Sequence, residues 1–286
     1  MPGTGDPPLL ELRVFGNVSD LFVAETKGAL LTAYRAFTQE GPQRVEVRIV
    51  DGLLSLQELC EIEKEETGRD VFGEEGYLTQ HEVTESGPRI TVCWQRADEL
   101  PAVLGIAALQ HEAAHSVLHG TIAHGEFALT EALLKDARAR GVRLAAARSL
   151  LLLASRAVKD FEVSRLLAAS GLRAPQTALA VFHFAETAKE RPPWRDVAGS
   201  NEGRALYAAH HLHPLLYAEP LETSDTNLSG ISSAINEALS EMDEDEREEL
   251  LALSAFLAED LSLDTHENTG KTAALLLERF ALKTNA

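Results

Sequence analysis

The chain has 286 residues, 45% of them hydrophobic, with 45 acidic and 26 basic side chains and a formal net charge of -19. That charge argues against nonspecific binding to nucleic-acid phosphates, and the apolar content suffices for one large domain, or a domain with an appendage, built on a sizeable core. Cys60 and Cys93 are the only cysteines, which excludes a disulfide framework and fits a reduced, cytoplasmic setting; the most apolar run, LAAARSLLLLASRAV, contains Arg148 and Arg156 and is too short to cross a bilayer.

The N-terminal part reads as mixed α and β. LLELRVFGNV has strand character, and Ser19 or Asp20 then caps a helix carrying Leu21, Phe22, Ala29, Leu30, Ala33 and Phe37. RVEVRIV alternates strictly, placing Val45, Val47 and Ile49 on one face and Arg44, Glu46 and Arg48 on the other, the pattern of a half-buried strand. SLQELCEIEKEETG is a Ser55-led helix, and residues 77–94, YLTQHEVTESGPRITVCW, form a hairpin turning at Glu85-Ser86-Gly87-Pro88. The strand RITVCW either lies at a sheet edge, where an extended peptide can add as a further strand, or is an ordinary internal strand.

Next comes LPAVLGIAALQHEAAHSVLHG, an unbroken helical pattern over 98–120. Asp98 and Glu99 would give it an acidic first turn, Pro101 sits early in it, and Gly120 is a natural stop. Within it His111-Glu112-Ala113-Ala114-His115 puts two imidazoles four residues apart on one face, where both can bind a single Zn²⁺, with Glu112 beside them to take a proton from bound water. This HExxH spacing is the zincin signature. After Gly120 the pattern is almost wholly helical, with helices near 125–140, 143–170, 174–190, 201–218, 230–242, 244–262 and 270–282. In MDEDEREEL the acids suit a solvated helix start. The expected organisation is α+β: a zincin-like domain over 1–220, with a small mixed sheet in 1–97, the metal helix at 98–120 and helices at 121–220, followed by a helical appendage at 221–286.

A catalytic zinc takes three protein ligands and keeps one position open. His119 shares a face with His115 but lies a further turn away, which suits a supporting or capping residue; His124 is more distant still. A metzincin would need Gly at 118 and His at 121, whereas the chain has Leu118 and Thr121. In the helix AARSLLLLASRAVKDFEVSRLLAASGL, Asp160 shares a small, apolar stripe with Leu153, Ala157, Ser164 and Leu167, while Glu162 lies with Ser155, Lys159, Arg165 and Leu166. A carboxylate facing inward requires a partner, and a metal supplies one, so Asp160 is preferred to Glu162. Tyr207, His210, His211 and His213 in NEGRALYAAHHLHPLLYA are candidates for a donor to a developing oxyanion, although three histidines in four residues also suit a polar helix face ended by Pro214.

HEAAHSVLHG resembles the HExxHxxLH helix of ImmA/IrrE-type metallopeptidases, and DFEVSRLLAA resembles the later ExEANxFA-type helix of that group and of HtpX-type proteases. The resemblance implies a gluzincin-like fold, a zinc held by His111, His115 and Asp160, Glu112 as general base, and a peptide or protein substrate. Ser164 stands where those families place Asn or Asp, and Asp160 replaces their usual Glu. The alternative is a zincin-like protein that binds zinc without turnover, or a metal-free scaffold. In a structural zinc site His119 or His124 would supply the fourth ligand.

Overall fold

The structure, a computed structural model, describes residues 6–67, 78–190, 192–222 and 229–282. Tyr77 and Gly68, expected at the start of the hairpin and the end of the Ser55-led helix, lie outside the described residues. The fold is α+β, and among the described residues no helix is long and apolar enough to cross a membrane. Two compact units divide the chain: Met1–Gly125 with Ala169–Leu179, and Glu126–Ala168 with Ala180–Ala286. This division differs from the expected boundary at 220.

The first unit is built on four strands that pair in one sheet. Strands β1 (Leu9–Phe15), β2 (Arg44–Val50), β3 (Thr79–Thr84) and β4 (Gly87–Cys93) lie in the order β1-β2-β4-β3. Parallel pairing of β1 with β2 requires a crossover, which is helix α1 (Asp20–Ala36), started by the Ser19 hydroxyl accepting from the Phe22 amide. Helix α2 (Leu53–Thr67) makes the next crossover and sets Leu56 into a cluster with Val50 and Cys93. The β3–β4 pair is antiparallel and turns at Glu85 and Ser86, with Gly87 at φ +116°, a conformation side chains disfavour. RITVCW is therefore internal, paired on both sides, and the edge strand beside it is β3.

Strand β2 is more buried than its alternation implies. Val45, Val47 and Ile49 are fully buried as expected, but Glu46 and Arg48 are buried as well. They are tolerated there because they neutralise one another: Arg48 and Arg89 donate to the two Glu46 carboxylate oxygens at 3.0 and 2.9 Å, and Arg89 also pairs with Glu82. Burial alone would raise the Glu46 pKa, but the two guanidinium groups outweigh it and hold the carboxyl below its ordinary range.

The metal helix is shorter than its pattern. Trp94–Asp98 forms a separate short helix, α3, and α4 spans Ala102–Leu118 with Pro101 as N-cap, so Asp98 and Glu99 precede the helix instead of forming its first turn. The proline explains the break: its ring disfavours a helical Leu100, and its own ψ of 135° is extended. Helix α4 packs on β3, β4 and α1. Gln176, fully buried at the start of α7 (Arg173–Glu190), donates to the Ala107 carbonyl and to Gln110, which accounts for residues 169–179 joining this unit.

The second unit is helical: α5 (Glu131–Ala139), α6 (Leu144–Ala169), the rest of α7, α8 (Trp194–Val197), α9 (Asn201–Ala218), α10 (Ser229–Ala238), α11 (Glu244–Asp260) and α12 (Thr265–Phe280). Residues 125–130 are not part of the first of these, because Thr130 caps α5 by accepting from the Leu133 amide. Helices α11 and α12 pack directly on α9, so the segment expected to form an appendage shares a core with residues before 220. Arg140, buried after α5, donates to the Glu278 and Ala281 carbonyls at the C-terminal end of α12, where a cation is favoured. Helix α9 runs over the expected 201–218, with Pro214 inside it.

Helix α12 begins five residues before the expected 270. The Asp264 carboxylate accepts from the His266 and Glu267 amides and satisfies two otherwise orphaned donors. Replacing Asp264 by Ala should lower unfolding stability by about 1 kcal/mol, read as a shift in the denaturant midpoint. An unchanged midpoint would mean that water caps this turn equally well.

Candidate metal centre

All the candidate residues of α4 point into buried space, with His111, Glu112 and His115 each less than a tenth exposed. The helix reaches His115 intact because it closes only afterwards: His119 is the C-cap, its amide donating to the His115 carbonyl, and the chain then turns at Gly120. A Cβ at 120 would lie 2.2 Å from the Ser116 carbonyl oxygen, so this close approach requires glycine.

The two imidazoles converge. Nε2 of His111 and Nε2 of His115 are 2.9 Å apart, with the rings nearly perpendicular. On its opposite side, His115 Nδ1 faces His119 Nδ1 at 3.1 Å. This arrangement assigns different tasks to the three histidines. A cation at the Nε2 pair needs a lone pair from both rings, which forces the His115 proton onto Nδ1, where it donates to His119. With a cation there, His119 would support that tautomer of His115 from behind. The ring of His81, from β3, stacks on His115 at 5.7 Å between centroids and 9° between planes, restricting its rotation.

Glu112 is held from the sheet. Its Oε1 accepts from the Thr79 hydroxyl at 2.9 Å, tying the carboxylate to the edge strand β3. The hydroxyl of Tyr34 on α1 bonds Ser116 at 2.7 Å, and burial pushes the phenol well above its usual range, so it stays neutral.

In the second unit, α6 carries both candidate acids, and their burial is the reverse of the expectation. Glu162 is buried and Asp160 only half-buried. Glu162 gains its burial because α12 meets it with polar groups: Thr265 Oγ1 donates to one carboxylate oxygen at 2.9 Å and Asn268 Nδ2 to the other at 3.2 Å. Asp160 is instead hydrogen-bonded to His213 Nε2 from α9. Beside it, burial lowers the Lys159 pKa, with the Asp160 charge acting in the opposite direction, and the ammonium lies 5.8 Å from the centre of the Phe127 ring.

In the first unit the Nε2 atoms of His111 and His115 form a pair of adjacent metal-capable donors, while Asp160, the expected third ligand, belongs to the second unit. Two imidazole nitrogens suit Zn²⁺ without identifying it, since Fe²⁺ and Mn²⁺ accept the same atoms.

The four oxyanion candidates separate into two groups. Tyr207 and His211 belong to an aromatic column, with Tyr207 stacked on His211 at 4.3 Å between centroids and edge-on to Trp194, while His211 Nδ1 donates to the Tyr207 carbonyl at 2.9 Å. His213 is the member bonded to Asp160, and the half-buried His210 lies edge-on to the His211 ring at 6.0 Å between centroids. Thr79 and His81 escaped the sequence reading. Their signal was present: in a strand leading to the metal helix, positions 79 and 81 share one face. Comparison with protein-family models, curated proteins and solved structures finds no match for this chain.

Proposed function

We propose that the chain is a zinc-dependent peptide hydrolase in which His111, His115 and Asp160 hold the metal and Glu112 is the general base. The observation that carries this reading is the convergence of two buried imidazole Nε2 atoms 2.9 Å apart, with a carboxylate, Glu112, next in sequence to His111; Asp160 enters as the third ligand that the sequence resemblance implies. A purely structural site would have no use for the Glu112 carboxylate. His119 also favours an open site, because its Nδ1 is engaged on the far side of the His115 ring and cannot serve as the closing fourth ligand from there.

Zinc bound here would supply a water acidified to near neutral pH and a Lewis acid for the scissile carbonyl. The rest of the work falls to the chain. Glu112 takes the proton of the attacking water and returns it to the leaving amine, and Thr79 keeps the carboxylate oriented by holding Oε1. His119 and His81 fix the His115 ring, and His213 orients Asp160 while reducing its tendency to swing away. The resemblance to soluble zincin-type peptidases points to peptides as the substrate class.

Metal content of the purified protein, measured by plasma mass spectrometry, tests the ligand set. About one zinc per chain is expected in the wild type, with loss in His115→Ala and in Asp160→Ala. Zinc retained in Asp160→Ala would remove Asp160 from the set, and a wild type that takes up no metal even after zinc is added would favour the metal-free scaffold.

A further inference from the structure

A cavity of about 600 Å³ opens in the first unit, lined by α1, α3, α4 and the adjoining strands, and the hydrolase reading makes no use of it. That is ample for a small organic molecule. Its walls are mainly apolar, formed by Phe22, Leu78, Val92, Trp94, Ile106 and Leu109. Two features go beyond an apolar hollow. Thr26, 1% exposed, lines it, and the Thr26 hydroxyl has no hydrogen-bond partner among the described residues. A buried hydroxyl in that state is stabilised by any ligand group that bonds it. Glu25 and Asp98, from α1 and α3, also line the cavity and are solvent-exposed, and neither forms an ion pair among the described residues. The rings of Phe22 and Trp94, 6.2 Å apart, add two π faces.

We infer that this cavity binds a small molecule consisting of an apolar body and a cationic amine. The apolar walls accept the body. Two uncompensated carboxylates and the aromatic pair favour a positive end and disfavour a negative one. Such a ligand would also adjoin the proposed base, because Thr79 both lines the cavity and donates to Glu112. The inference stands without the hydrolase reading, since no metal ligand takes part in it.

Isothermal titration of the full-length protein with 4-phenylbutylamine, 4-phenylbutanol and 4-phenylbutyrate tests it, the three differing only in end-group chemistry. The amine is expected to bind about tenfold more tightly than the alcohol, with the acid weakest, a ratio in line with two partly exposed charge pairs and one cation–π contact. Glu25→Gln with Asp98→Asn should bring the amine to the affinity of the alcohol. Gly105 gives a steric control: it lines the cavity from α4, and a Cβ there meets no atom within 4 Å, so Gly105→Leu fills the space without a backbone clash and should abolish binding of all three. Far-UV circular dichroism of that variant confirms that the helix is retained. No binding of the amine at millimolar concentration, equal binding of amine and acid, or unchanged affinity in Gly105→Leu would each overturn the proposal.

Discussion

Replacing Glu112 by Gln should lower peptide hydrolysis by at least about 100-fold while leaving the zinc content of the protein unchanged. Loss of that size follows from the role proposed for the carboxylate, since an amide of the same shape can still accept from Thr79 through its oxygen but cannot take a proton from water. The side chain is buried, so the substitution also leaves a neutral group where a charge stood, and folding should be no worse. The informative experiment pairs single-turnover hydrolysis of a peptide library with metal analysis of the same sample. Activity that survives in Glu112→Gln would mean that the observed hydrolysis does not use this base. Activity and zinc lost together would instead assign Glu112 to holding the metal site in shape.

The second large effect is expected far from that chemistry. Glu46→Gln should destabilise the protein by about 3 kcal/mol at pH 7, because it leaves Arg48 and part of Arg89 as buried cations without their counter-charge. Arg13, which also reaches Glu46 at 3.3 Å, is more than half exposed and contributes little. The loss should depend on pH in a definite direction. The folded Glu46 pKa is depressed, so its contribution is fully present above the unfolded value of about 4.3 and disappears as pH falls through the lower folded value. Denaturant unfolding at pH 7 and again between pH 5 and 3 should therefore show the wild type losing stability faster on acidification than Glu46→Gln, with the two curves converging. Parallel curves would show that the network is solvated and that its geometry carries no energy.

Much of the fold was legible because local patterns and tertiary needs agree. The alternation of RVEVRIV, the Ser19 cap and the 3.6-residue period of α4 each specify their element without help from the rest of the chain. The pair His111 and His115 was legible for the same reason, since four residues on a helix fix their geometry locally. What could not be read depends on contacts distant in sequence. Glu46 and Arg48 look like a solvated face until Arg89, 43 residues later, is brought beside them. The ranking of Asp160 over Glu162 rested on an inward face for Asp160, yet Glu162 is the more buried acid, because Thr265 and Asn268 supply partners that no pattern around 160 announces. Sheet order is equally non-local, and β4 became an internal strand only through pairing with both β2 and β3.

The partners of Glu162 also bear on the order of events during synthesis. Thr265 and Asn268 follow it by 103 and 106 residues, so at ribosomal rates of about 5–20 residues per second α6 exists for several seconds before α12 is made. Throughout that interval α6 carries two carboxylates two positions apart, neither committed by α12. The partners that bury Glu162 are thus supplied more than a hundred residues downstream of it, late in the life of the nascent chain.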